Sequence, residues 1–203
     1  MCSVATIIPQ TYLASVSRYI FKYCMYVLNV NLRLIIMGLF ISLIEAQEVT
    51  LTSSNLPIIV IDTYEQVIPD EPKISAHMGI IFNGSGEINY ITDSSSHYDG
   101  DIGIEIRGHS SQHYFPKKQY GLETRDSEGE NINVSLLGMP EENDWILYAP
   151  YSDKSLMRNV LAYDIAKSLG SYAPRTQFCE VILNNDYVGI YVFMEKIKKD
   201  SNR

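Results

Sequence analysis

The run IGIEIR, Ile102 to Arg107, limits what this chain can fold into more than any other stretch. Ile102, Ile104 and Ile106 alternate with Gly103, Glu105 and Arg107, the two-residue period of a strand with one face in a core and the other in water. A turn of Gly, His, two Ser and Gln follows at 108–112, and then two lysines stand ahead of a second strand-like run over 119–125. The turn DSEGEN returns the chain into INVSLL. The middle of the sequence is therefore expected to form an antiparallel meander.

The flanks add strands and one helix. IIVID, ending at Asp62, and the run from Ile74 to Phe82, closed by Asn83-Gly84, read as two further strands. After the capping residues Ser152 and Asp153, a helix is expected as far as Leu169, before Gly170. Met157, Leu161, Ile165 and Leu169 recur every four residues along it, which predicts a stripe facing the core. Two strands, Phe178 to Leu183 and Val188 to Met194, are joined by Asn184-Asn185-Asp186, a hairpin connection. Glu141, Glu142 and Asp144 are expected in the first turn of a short helix that turns Trp145 inward, rather than around a metal. The fold class is α+β.

Residues 1–46 differ from the rest. They hold Arg18, Lys22 and Arg33 against one acid, Glu45, and carry the apolar run LIIMGLFISLI from Leu34 to Ile44. That run is shorter than the roughly 20 residues of a comfortable membrane span and suits a signal peptide or anchor, so the protein is expected to be exported, with membrane contact only through this leader. The whole chain carries a formal charge of −8, and setting aside the leader's surplus of two cations leaves −10 on 47–203. An acidic body is a poor match for nucleic acid, whose binding depends on neutralising phosphates with Lys and Arg. Cys179 is the one cysteine after the leader, so no disulfide can form within that body.

Four separated segments, IRGHSSQ, FPKKQYGLETRD, VSLLGMPEENDWILYAPYSDKSLMRN and VGIYVFMEKIKKDSNR, occur in one order and resemble the CotH kinase family, the spore-coat-protein-H-like proteins. The resemblance covers 53–203. It implies the small lobe of a protein kinase, an antiparallel sheet with one main helix, and an atypical kinase that passes phosphate from ATP, with a divalent cation such as Mg or Mn, to serines of a protein substrate. Catalysis of that kind rests on positioning and on neutralising phosphate charge.

By resemblance, Arg107 and Gly108 to Gln112 stand where the nucleotide-covering loop would be, with Gly108 freeing the backbone and Ser110, Ser111 and Gln112 offering donors. Lys117 and Lys118 occupy the place of the strand lysine. On a strand they point to opposite faces, so one of them enters the cleft; Lys118, in phase with Tyr120 and Leu122, is favoured and Lys117 stays a candidate. Met194 and Glu195 would line the adenine edge at a hinge. No metal-holding residue is identified before Arg203, and the family's large lobe, with its catalytic base, is expected beyond it, so this chain alone is expected to be inactive. The competing reading is a non-catalytic surface or coat module, favoured by 15 tyrosines, of which Tyr98, Tyr114, Tyr148 and Tyr151 fall in loop-like segments.

Overall fold

In the computed structural model the chain separates into two compact units, Met1–Glu48 and Val49–Arg203. The structure describes residues 50–198 and, before them, only Lys22, Met25 and Tyr26. The expected leader, residues 1–46, lies outside the described residues apart from those three, and its apolar run at 34–44 lies outside them entirely. Among the described residues no helix is long and apolar enough to cross a membrane.

The elements run β1 (Ser53–Ser54), β2 (Ile58–Asp62), β3 (Ile74–Ile81), β4 (Asn89–Tyr90), β5 (Tyr98–Arg107), α1 (Ser110–Tyr114), β6 (Gln119–Thr124), β7 (Asp144–Tyr148), α2 (Arg158–Ser168), β8 (Thr176–Leu183) and β9 (Asp186–Glu195). Strands β1 and β4 form a small separate pair. The other seven close into a barrel in the order β2-β3-β5-β6-β7-β9-β8. Every pairing in it is antiparallel except the closing one, where β2 runs parallel to β8 with Ile58 opposite Glu180 and Ile61 opposite Leu183.

Alternation fills the interior. Ile59 and Ile61 of β2, Met78 and Ile80 of β3, Ile102 and Ile104 of β5, Trp145 and Leu147 of β7 and Phe193 of β9 are all essentially inaccessible. Trp145 stacks on Phe193 at 5.1 Å between ring centroids, and Tyr120 on Tyr191 at 6.2 Å. A smaller cluster, Ile58, Ile81 and Ile182, buries the alternate residues. The β8–β9 turn places Asn184 and Asn185 at φ 50° and 68°, the left-handed conformation of a tight hairpin that Asn tolerates. Buried charges are paired: Glu195, wholly buried, accepts hydrogen bonds from Arg175 Nη1 at 2.9 Å and from the Arg175 backbone N–H at 2.7 Å. Glu180 accepts from the hydroxyls of Ser54 and Tyr187.

This architecture corrects the expected kinase-like small lobe. The described residues form a closed seven-strand barrel with two short helices, not an open antiparallel sheet under one main helix. IIVID and FCEVIL are apolar on both faces, a pattern compatible with central strands, but local alternation carries no information about which distant strand each one pairs with. The parallel β2–β8 contact is such a distant pairing, and it closes the sheet.

The expected helix is also shorter and turned the other way. It starts at Arg158, because residues 152–157 form a turn in which Leu156 takes φ 62°. None of its residues is buried, and the stripe predicted to face the core is the exposed one: Met157, Leu161 and Ile165 are each about half exposed and Leu169 is 79% exposed. Val160, Tyr163 and Ala166 lie on the partly covered side. The acids at 141–144 do not open a helix: Val134 and Glu142 form an isolated bridge, and Asp144 begins β7, although Trp145 is turned inward.

Ile104→Ala is expected to lower stability by about 2–5 kcal/mol, whereas Leu161→Ala costs well under about 1 kcal/mol in urea unfolding at low protein concentration. Comparable costs at both positions would contradict the outward stripe. A second expectation concerns His97, whose Nε2 accepts the Leu137 N–H at 2.7 Å and whose burial lowers its pKa from 6.5. The unfolded chain then binds the proton more readily, so stability is full above about pH 6.5 and falls as pH drops through the depressed value. The urea midpoint should decline with pH in that window, and the decline should be smaller in His97→Gln.

Candidate functional site

Pro116 ends α1's exit and sends Lys117 along β9 rather than into water. Its Nζ donates to the Ile190 carbonyl at 2.7 Å and lies 4.2 Å from the centre of the Tyr191 ring. Gly189 makes this approach possible, since a Cβ there would stand 3.3 Å from Nζ. Burial pulls the Lys117 pKa below the usual lysine range, with Cys179 and Glu180 acting weakly the other way. A partly desolvated ammonium of this kind is a recurrent mark of functional sites.

Lys117 and Ile190 form one wall of a cavity of about 240 Å³, and Pro150, Tyr151, Asp153, Lys154 and Leu156 form the other. Tyr151 joins the walls: its ring sits 5.4 Å from that of Phe115 and carries Lys154 Nζ 5.4 Å from its centre. Asp153 holds the loop's shape. Its Oδ1 accepts the Ser155 N–H and hydroxyl at 3.0 and 2.7 Å, and its Oδ2 accepts the Arg158 N–H at 2.9 Å, which ties the start of α2 to the cavity. The Arg158 N–H bond is the largest cause of an Asp153 pKa below the usual carboxylate value. Leu156, at φ 62°, places a bulky residue in the left-handed region on this same wall, a strained conformation of the sort that collects at functional sites. An ammonium has three donors, and Lys117 spends one on Ile190. Two cations facing across a small cavity are suited to an anionic group.

The remaining sequence-predicted residues fall in other places. Gly108, at φ 100°, turns the chain into α1, and Gln112 Nε2 donates to Asp70 Oδ1 at 2.6 Å and to the Gly108 carbonyl. Arg107, Gly108 and Ser110 are exposed, and Ser111 and Gln112 partly so. Lys118 Nζ donates to the carbonyls of Gln112 and Phe115 at 2.7 and 3.0 Å and so closes the carboxyl end of α1. The two neighbouring lysines thus serve different elements, Lys118 the α1 turn and Lys117 the cavity. Met194 and Glu195 are buried within β9, opposite Ile146 and Trp145 of β7.

Lys154, Tyr151 and Asp153 complete the cavity although the sequence marks them only as loop or cap residues. The available signal was the proximity of YAPYSDK to a helix start, which shows a turn but not what the turn faces. Among the described residues no group of three His, Cys, Asp or Glu side chains is placed to hold a metal ion.

Two comparisons bear on this arrangement. A family model described as CotH kinase protein matches residues 104–203. The inner spore coat protein H of Bacillus subtilis (strain 168) is 39% identical over 97 residues, which is 48% of this chain and 24% of that protein, so the match spans about a quarter of the relative's length. Lys117 and every wall of its cavity lie within the family match. Over residues 104–203, this chain is therefore similar to the CotH kinase family.

Proposed function

We propose that the Lys117 cavity receives the phosphates of ATP and that this chain contributes the phosphate-holding part of an ATP-dependent transfer to serines of a protein substrate. The carrying observation is Lys117 itself, a partly desolvated cation facing Lys154 across 240 Å³. That volume is below the roughly 300 Å³ of even small ligand pockets, so it suits a phosphate group better than a whole nucleotide. ATP supplies the phosphoryl group; the roles of this chain's side chains are to hold and orient phosphate oxygens and to neutralise their charge. Lys117 donates from below, beside Tyr191, and Lys154 from the opposite loop.

The divalent cation that the family resemblance implies finds no ligand set among the described residues. The coat-protein relative supports a setting at a coat or surface. A non-catalytic coat module remains the second reading, favoured by the same relative and by the outward apolar face of α2.

Calorimetric titration of the full chain with ATP and with pyrophosphate tests the assignment. Lys117→Met is expected to weaken binding at least tenfold, Lys154→Met several-fold, and Lys118→Met less than twofold while lowering thermal stability. Equal losses at Lys117 and Lys118, or no binding by the folded wild-type chain, would count against it.

A further inference from the structure

The outer face of β5 and β6 carries a second cavity, of about 470 Å³, that shares no lining residue with the Lys117 cavity. Strand parity turns Gly103 and Glu105 of β5, and Gly121, Glu123 and Arg125 on and just after β6, away from the core that Ile102, Ile104, Leu122 and Thr124 face. The register sets Gly103 opposite Glu123 and Gly121 opposite Glu105, so two diagonal positions on the floor have no side chain. Neither glycine is at positive φ, so what each supplies is space. The Arg125 guanidinium lies flat on Gly103, where a Cβ would stand 2.5 to 2.9 Å from Nη2, Cζ and Nε, and Glu105 Oε1 lies 3.0 Å from where a Cβ of Gly121 would be. Glycine inside a strand weakens it and marks a place that another group approaches closely.

The loop ahead of β3 supplies the rim. Its Pro69 carbonyl accepts the Ile106 N–H at 2.7 Å and Asp70 accepts from Gln112, which brings Glu71, Pro72 and Lys73 over the floor. Five charged side chains therefore line one cavity. Lys73 Nζ stands 3.2 Å from Glu105 Oε1, and Arg125 Nη2 3.0 Å from Glu123 Oε2, with all four side chains only 16 to 22% exposed.

The pairing is incomplete for both signs of charge. Three carboxylates face two cations, and Glu71 has no ion-pair partner among the described residues. Arg125 gives one of its five N–H groups to Glu123, while its Nε is closed to water and has no acceptor. A buried donor left unmatched costs more than a typical hydrogen bond returns. A simple cation would answer Glu71 and leave the guanidinium as it is; a simple anion would meet a surplus of carboxylates. A ligand carrying both charges answers both, its carboxylate drawing the guanidinium off Gly103 and so freeing Nε to donate. The volume lies within the range of small-molecule sites. Diagonal cross-strand neighbours stand about 7–8 Å apart, so the groups over Gly103 and Gly121 are within reach of one molecule of amino-acid size. We infer that this cavity binds a small zwitterion, with its carboxylate held by Arg125 and Lys73 and its ammonium by Glu71 and Glu105.

NMR titration of the full chain with glycine, β-alanine, 4-aminobutyrate and 5-aminovalerate tests this, with ethylamine and acetate as single-charge controls. At least one amino acid is expected to bind, with both controls at least tenfold weaker, and to shift the Arg125 Nε–H resonance, which Arg125→Lys identifies by its loss. Glu71→Gln should weaken that binding several-fold and leave the thermal midpoint unchanged, because Glu71 is exposed and unpaired. A folded wild-type chain that binds none of the four overturns the proposal. Ethylamine or acetate binding as tightly as the amino acids also overturns it, since the surface would then read one charge alone. So does amino-acid binding that leaves the Arg125 Nε–H unmoved, which would place the ligand elsewhere.

Discussion

The parallel pairing of β2 with β8 is the contact on which the rest of the molecule depends. The other six pairings could exist in an open, twisted sheet; this one joins its two edges and leaves no unpaired barrel strand. Closure converts alternating residues into an enclosed core, with Ile59, Ile102, Ile104, Trp145 and Phe193 excluded from water together. It also sets β8 and β9 beside the rest of the sheet, so that the hairpin begun at Asn184 presents Gly189, Ile190 and Tyr191 to whatever approaches from β6.

Lys117 is what approaches. Desolvating an ammonium is costly, and here the cost is only partly offset by one carbonyl, an aromatic face and the distant Glu180 carboxylate. An anion entering between Lys117 and Lys154 would offset more of it. The loop on the other side is held by Asp153, whose carboxylate organises Ser155 and Arg158, so the cavity wall and the first turn of α2 form one structural unit. Its acid is already engaged, which leaves the lysines as the groups free to meet a ligand.

Much of the local structure was legible in the sequence, and most of what was not legible depends on long-range pairing. IGIEIR places its isoleucines toward the core and Glu105 and Arg107 away from it, because strand alternation is a property of the backbone alone. Asn184-Asn185 gives the hairpin because Asn tolerates left-handed φ. Barrel closure was invisible, since it pairs residues more than a hundred positions apart. The α2 row was legible as a periodic stripe but not as an outward one, because periodicity shows that a face is apolar without showing what covers it. Lys117 and Lys118 illustrate the same limit: parity separates their directions, yet only the position of Ile190 and of α1's last carbonyls assigns each ammonium its partner.

The titration of Lys117 followed by the 13Cε shift of its side chain, assigned by difference from Lys117→Arg, tests the central claim most directly. A Lys117 that is partly desolvated and waits for an anion must titrate below the ordinary lysine value in the free protein, and its pKa must rise when pyrophosphate is added. An ordinary value that pyrophosphate leaves unmoved would mean that Lys117 is a solvated surface lysine and that the cavity beside it holds no phosphate.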